Sequence, residues 1–249
     1  HYSTRSLIAL RLLPFDIETT DSGFLRRLIR RAADYRGLVV KDSDAYRLVH
    51  AEADLLPGLI VDRYGDWLAV QTLTQAMDAA KSALVEALTK LFQPRGIVER
   101  NDSAARRHEG LDQIAGVLAG EPPENLTVSM NGLRFEADLL GGQKTGMFLD
   151  QRENYAAAGR YARGAALDCF TYAGGFALHL AARADSVLAV DSSQAALDRL
   201  GRNAALNGLT NVTARRADAF DLLTALALGR KTFQTVVLDP LAFAKSRQH

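Results

Sequence analysis

Residues 165–176 read Ala-Ala-Leu-Asp-Cys-Phe-Thr-Tyr-Ala-Gly-Gly-Phe, and their reading decides the fold. An apolar run of strand length, Ala165 to Phe170, breaks at Gly174-Gly175, after which Phe176, Leu178, Leu180 and Ala181 follow at helical spacing. Strand, tight turn and helix make the first βα unit of a nucleotide-binding sheet. Gly174 and Gly175 lack Cβ, so the turn can take positive φ and let a ligand approach the peptide plane.

A dinucleotide fold needs G-x-G-x-x-G, whose first two glycines make room for a pyrophosphate. Those slots here hold Phe170 and Tyr172. A phosphate-free nucleoside suits such a turn better, and S-adenosylmethionine is the common cofactor of that kind. A short glycine motif alone is a weak signal, equally open to a purely structural turn.

From Ala165 onward strands and helices alternate: strands 165–170, 186–190, 212–215 and 235–238, with helices from 175, over 193–206 and over 219–228. This predicts a parallel doubly wound sheet, which binds ligands beyond the carboxyl ends of its strands. Asp168, Asp191, Asp218 and Asp239 stand at those ends. Asp191 lies where a second strand places an acid on ribose hydroxyls, and Asp218 could accept from an adenine amino group. Each acid alone could equally be a helix cap; three consecutive strand ends with the glycine turn favour a cofactor. Asp239-Pro240 would sit by the reacting end, with Pro240 stiffening the turn. Phe243 could stack on a substrate base, or pack in a core, and Lys245 could meet a phosphate. Cys169, inside the first strand, reads as a buried and inert thiol.

Upstream, residues 5–13 read as a strand. A helix capped by Asp21 or Ser22 puts Phe24, Leu25, Leu28, Ile29 and Ala32 on one face and Arg26, Arg27, Arg30 and Arg31 on the other. That basic stripe could track RNA phosphates or be a solvated face. Residues 45–75 alternate like a hairpin of a small α+β module, and a helix is expected from about Gln75 to Phe92, stopped by Pro94. Arg106-Arg107-His108 reads as a solvent loop or a phosphate contact. Glu121-Pro122-Pro123 marks a linker, and Asn131-Gly132 a type I′ hairpin turn. Three glycines then bracket Lys144, Thr145 and an aromatic in Gly141–Arg152.

With 30 basic and 29 acidic residues the net charge is +1, so any nucleic-acid surface must be a local patch. One cysteine excludes an internal disulfide and, with five scattered histidines, offers no metal cluster. No apolar run is long enough to cross a bilayer and no signal peptide opens the chain, which fits a reducing, cytoplasmic setting without a membrane partner. A homodimer stays open. Beginning at His1 and ending just past a fourth strand, the chain reads as a fragment.

Three stretches carry a resemblance: Gly-Gly-Gln-Lys-Thr-Gly-Met-Phe-Leu-Asp-Gln-Arg-Glu-Asn (141–154), Leu-Asp-Cys-Phe-Thr-Tyr-Ala-Gly-Gly-Phe-Ala (167–177) and Val-Val-Leu-Asp-Pro-x-Ala-Phe-Ala-Lys-Ser (236–246). Together they resemble the bacterial large-subunit rRNA cytosine-C5 methyltransferases, over nearly the whole chain. The resemblance implies the tail of a PUA-like RNA-binding domain in 1–14, a central α+β domain in 15–120, and a partial Rossmann-like class I methyltransferase sheet in 121–249. It implies that Phe148, Asp168, Phe170, Tyr172, Gly174, Asp191, Asp218 and Asp239 line an S-adenosylmethionine pocket, with Gly175 beside them. Asp239 and Pro240 would serve catalysis on an unstacked base of ribosomal RNA. Lys144, Arg152, Phe243, Lys245, Arg26 and Arg30 are expected to meet that RNA. In the cytosine reaction a cysteine adds to C6 before C5 takes the methyl, and that cysteine is expected beyond His249. Leu241 stands where the family has a second proline, which loosens the turn. The same scaffold also supports guanine-N2 methylation, and a non-catalytic cofactor- or RNA-binding fragment is the alternative of another class.

Overall fold

The computed structural model describes residues 2–13, 21–124 and 126–240. They divide into two compact units, 1–132 with 137–150 and 133–136 with 151–249. The division thus falls later in the chain than the boundary near Gly120 that the proline pair suggests.

In the first unit, α1 (Ser22–Val39) opens with Asp21 accepting from the Phe24 N–H at 2.8 Å, the expected cap. Strands β1 (Ala45–His50), β2 (Leu59–Tyr64) and β3 (Trp67–Thr72) follow, then α2 (Gln75–Ala79), α3 (Lys81–Phe92), β4 (Gly96–Asn101) and β5 (Ile114–Ala119). The sheet runs β1-β2-β3-β4-β5, with only β3 and β4 parallel. Phe24, Leu25 and Ile29 of α1 and Leu84 and Leu88 of α3 bury themselves against Leu48, Val61, Leu68 and Ile97. Alternating strand residues supply one face of the layer, and helical i, i+3, i+4 spacing supplies the other.

Three expectations change here. Residues 5–13 form no strand: the buried Ser3 accepts from the N–H groups of Arg5 and Ser6, and its own N–H bonds the Ala9 carbonyl, curling the segment into a bend. The helix over 75–92 is broken at Ala80 (φ −85°, ψ 6°). Arg106, far from facing solvent, is 1% exposed within a 3-10 turn, Ala104–Glu109. The ribbon β6 (Leu126–Met130) and β7 (Leu133–Ala137) turns at Asn131 and Gly132, whose φ values of 53° and 79° are those of the expected type I′ turn.

The second unit continues with α4 (Arg152–Tyr161), β8 (Ala165–Cys169), α5 (Gly175–Ala181), β9 (Ser186–Asp191), α6 (Gln194–Leu206), β10 (Val212–Arg216), α7 (Ala219–Leu228) and β11 (Thr235–Leu238). Its four strands are parallel in the order β10-β9-β8-β11. This is the Rossmann-like α/β sheet the alternation predicts, with each boundary within a residue or two. Chain direction across the sheet reverses between β8 and β11, the switch point where such sheets take ligands.

Candidate functional site

The carboxyl ends of the four strands lie level. Cys169 is in register with Val190 and Leu238, and Asp191 with Arg216, so Asp168, Asp191, Asp218 and Asp239 all fall at one edge of the sheet.

Asp168 is 1% exposed. Its Oδ2 accepts from the Thr171 hydroxyl at 2.6 Å, while Oδ1 is buried with no hydrogen-bond partner. Burial pushes this carboxyl up to about 7; the bond from Thr171 and the nearby Ala177 N–H dipole pull it down, and the charges of Asp191 and Asp239 push it up again. The charges of those acids therefore meet at Asp168.

Beyond it the turn does something composition does not announce. Phe170 and Tyr172 hold φ of 63° and 49°, the left-handed conformation that the glycines of a dinucleotide turn adopt freely. Two bulky residues there cost roughly 1–3 kcal/mol each. What holds them is Asp191: its Oδ2 accepts from the Tyr172 N–H and its Oδ1 from the Ser193 N–H, both at 2.9 Å. The Thr171 N–H bonds the Val190 carbonyl at 3.0 Å, and Asn203 Nδ2 the Ala173 carbonyl at 2.9 Å. Asp191 thus clamps the first turn as well as ending the second strand, a role the sequence does not reveal.

Gly174 has φ 91°, as the turn requires. A Cβ there would overlap Leu178 and meet Leu200, and one at Gly175 would run into Tyr155. Packing between turn and helices demands both glycines, whatever ligand approaches. Asp218 is exposed and caps α7, its Oδ1 accepting from Phe220 N–H (2.8 Å) and Asp221 N–H (3.2 Å). The Phe170 and Phe220 rings stand edge to face, 6.1 Å between centroids. Asp239 and Pro240 are exposed just past β11. Cys169 is fully buried, its thiol pushed up to about 11 by that burial and by Asp168, which makes it inert as expected.

Other expected residues stand elsewhere. Phe148 and Lys144 belong to the first unit, where Lys144 Nζ lies 4.7 Å from the Phe148 ring centroid and pairs with Asp150. Their loop is tied down by contacts more than 35 residues apart in sequence. Arg100 donates to the carbonyls of Leu139 (3.0 Å) and Gly142 (2.7 Å), and the Thr145 hydroxyl donates to Asp62 at 2.6 Å. Asp62 is in turn gripped by Arg47 at 2.9 and 3.0 Å, and Tyr64 Oη lies 2.9 Å from Thr145 Oγ1. Arg26 and Arg30 are exposed on α1. Arg152 is 9% exposed and pairs with Glu153. Leu241, Phe243 and Lys245 lie outside the described residues. Among the described residues no group of His, Cys, Asp or Glu could hold a metal, and no helix is long and apolar enough to cross a membrane.

Residues 48–248 match the model of a family described as S-adenosylmethionine-dependent methyltransferase. The chain belongs to this family. It is 41% identical over 254 residues to ribosomal RNA large subunit methyltransferase I of Photobacterium profundum and 39% identical over 256 residues to that of Vibrio cholerae. Each alignment covers 99% of this chain and 64% of the relative, so the chain spans under two thirds of their length. A Streptococcus mutans structure assigned as an S-adenosylmethionine-dependent methyltransferase superposes with a TM-score of 0.79 at 22% identity, covering 97% of this chain and 64% of that one. A second, holding S-adenosylhomocysteine, has the same score and identity over 94% and 61%. At that identity these two show the shared fold.

The turn fits the cofactor of this methyltransferase family. S-adenosylmethionine carries no phosphate, and Phe170 and Tyr172 occupy the places a pyrophosphate would need. Its sulfonium and ammonium are cationic, and the partnerless Asp168 Oδ1 is a buried acceptor that a cationic group would complete.

Proposed function

We propose that the protein methylates large-subunit ribosomal RNA at cytosine C5, using S-adenosylmethionine. The observation that carries this reading is the level carboxyl edge of the second unit, where the partnerless Asp168 oxygen lies beside a turn held open by Asp191. When bound, the cofactor supplies an electrophilic methyl group on its sulfonium. Asp191 accepts the ribose hydroxyls, since each of its oxygens spends one lone pair on a backbone N–H and keeps another. Asp218 uses Oδ1 as a cap and has Oδ2 for the adenine amino group, with Phe170 and Phe220 flanking the base. Gly174 and Gly175 shape the turn, Tyr172 closes it, and Asp239 with Pro240 stands past the switch-point strand where the target base would enter. The buried thiol of Cys169, the only one in these 249 residues, cannot attack C6, so the reading assigns the nucleophile to a thiol supplied from outside them. Residues 1–14 are read as the end of a PUA-like RNA-binding domain, and the setting as cytoplasmic. The names of the relatives support the substrate class.

The test is nucleoside analysis of large-subunit rRNA after incubation with isotopically labelled S-adenosylmethionine and the protein together with the segment that supplies that thiol. Labelled 5-methylcytidine is expected; 2-methylguanosine, or no label, would reject the cytosine assignment. Separately, Asp191→Ala is expected to weaken cofactor binding by roughly 1–3 kcal/mol, or 5- to 150-fold, the range for unmet hydrogen bonds. Calorimetry that finds the parent affinity would remove Asp191 from the site.

A further inference from the structure

We propose that a groove on the first unit, between α1 and the 3-10 turn Ala51–Asp54, binds unpaired RNA, with one unstacked nucleotide against Tyr35 and its phosphate on Arg31. This rests on the RNA-methyltransferase reading and gives the RNA a place on the first unit.

α1 carries five arginines against the single Asp34. Arg27, Arg30 and Arg31 are exposed, and among the described residues none of them makes an ion pair or hydrogen bond. Glu86, which feels the charge of Arg26, already bonds Lys90 and Ser22. Beside this face opens a groove of about 420 Å³, within the roughly 300–1,000 Å³ of ligand sites. Its floor is apolar, from Leu28, Ala32 and Leu55.

One wall is fixed. Arg36 holds Asp54, the acid that lines the groove, through two bonds of 2.5 and 2.7 Å, so that acid is already paired and Arg31 is not its partner. The same guanidinium stands 5.4 Å from the Tyr35 ring centroid, so it occupies one face of the ring and leaves the other for stacking. Tyr35 is 57% exposed. An exposed aromatic next to unpaired arginines, over an apolar floor, suits a base with its phosphate. Only an unpaired strand can use it, because duplex bases already stack on one another.

The experiment is fluorescence anisotropy of the whole 249-residue chain with a short labelled oligouridylate. Tyr35→Ala is expected to weaken binding roughly tenfold or more, the usual loss for one stacked base. Tyr35→Phe should keep parent affinity, and binding to a duplex should not change. Arg31→Gln should lower the slope of log affinity against log salt by about one. Parent-like binding by Tyr35→Ala, equal weakening by Tyr35→Phe, or displacement of the oligonucleotide by polyglutamate at groove-dependent affinity would each overturn the proposal. S-adenosylmethionine calorimetry separates the two readings. Cofactor binding with a silent groove overturns this inference alone, whereas groove-dependent RNA binding without cofactor binding overturns the methyltransferase reading and leaves the groove standing.

Discussion

Asp168→Asn is expected to raise the melting temperature of the cofactor-free protein at pH 8 while weakening its hold on S-adenosylmethionine. Burial, opposed in part by Thr171 and reinforced by Asp191 and Asp239, puts the folded carboxyl at about 7 against an ordinary 3.8. Between those values the folded state holds the proton more tightly than the unfolded one. The stability this confers is complete below about pH 4 and is lost as pH rises through about 7. Roughly three pKa units at 1.36 kcal/mol each put the loss on the order of 4 kcal/mol. Asparagine carries no charge to bury, and its amide oxygen can still accept from Thr171, so the variant should escape most of that loss. At about pH 4 and below the two proteins should melt within a degree or two of each other, because the parent carboxyl is then largely neutral in the unfolded state as well as the folded one. Binding should move the opposite way: a cationic ligand gains from the ionised carboxylate, so parent affinity should climb between pH 6 and 8 while the variant stays flat and roughly 10- to 100-fold weaker, the range for hydrogen bonds to a charged group. Thermal scanning over pH 4–8 and calorimetry over pH 6–8 check both halves. A variant that melts lower than the parent at pH 8, or follows its pH profile, would end this account of Asp168.

The same carboxylate shows what the sequence discloses and what it withholds. Position is legible: three apolar runs and the more polar Val212–Arg216, each with an acid at or near its end, set the strands of the second unit and the level of their ends, because period and punctuation are local properties. State is not legible. That Asp168 is left with a partnerless oxygen depends on the closure of Thr171 over it, and the positive φ of Phe170 and Tyr172 depends on Asp191, which arrives from the next strand. The alternation over 45–75 foretells β1 to β3, and the Asn-Gly pair the turn between β6 and β7. Its tie-points escape, since Thr145 meets Asp62 across 83 residues and no local pattern marks either as a partner. Residues 5–13 mislead for the opposite reason. Their apolar run has strand propensity, but among the described residues its pairing is the single bridge of Leu10 to Tyr2, and Ser3 captures the N–H groups of Arg5 and Ser6 that a ladder would have used.

Arg106 is the largest such surprise, and Arg106→Ala is expected to cost about 3–5 kcal/mol, the usual price of breaking a buried ion pair from one side. The guanidinium donates to Asp78 at 2.9 Å, to the Asp112 carbonyl at 2.6 Å, and to both the carbonyl and hydroxyl of Thr72. It therefore joins the end of β3, helix α2 and the 3-10 turn through one side chain. Truncation would leave these acceptors without their donor inside the first unit. The pH dependence identifies the cause. Burial raises the Asp78 carboxyl, but bonds from Arg106 and Thr72 and the nearby charge of Lys81 outweigh that and hold it below 3.8. A depressed carboxyl contributes stability that is present above its unfolded value and lost as pH falls through the folded one. The gap between parent and variant should thus be widest at neutral pH and narrow below about pH 4, as Asp78 takes up a proton in the parent. Denaturant titrations at pH 7 and pH 3.5 measure both gaps. A loss under 1 kcal/mol at pH 7 would return Arg106 to the solvent-facing reading. A full loss that is unchanged at pH 3.5 would assign its worth to the carbonyls of Thr72 and Asp112 rather than to the ion pair.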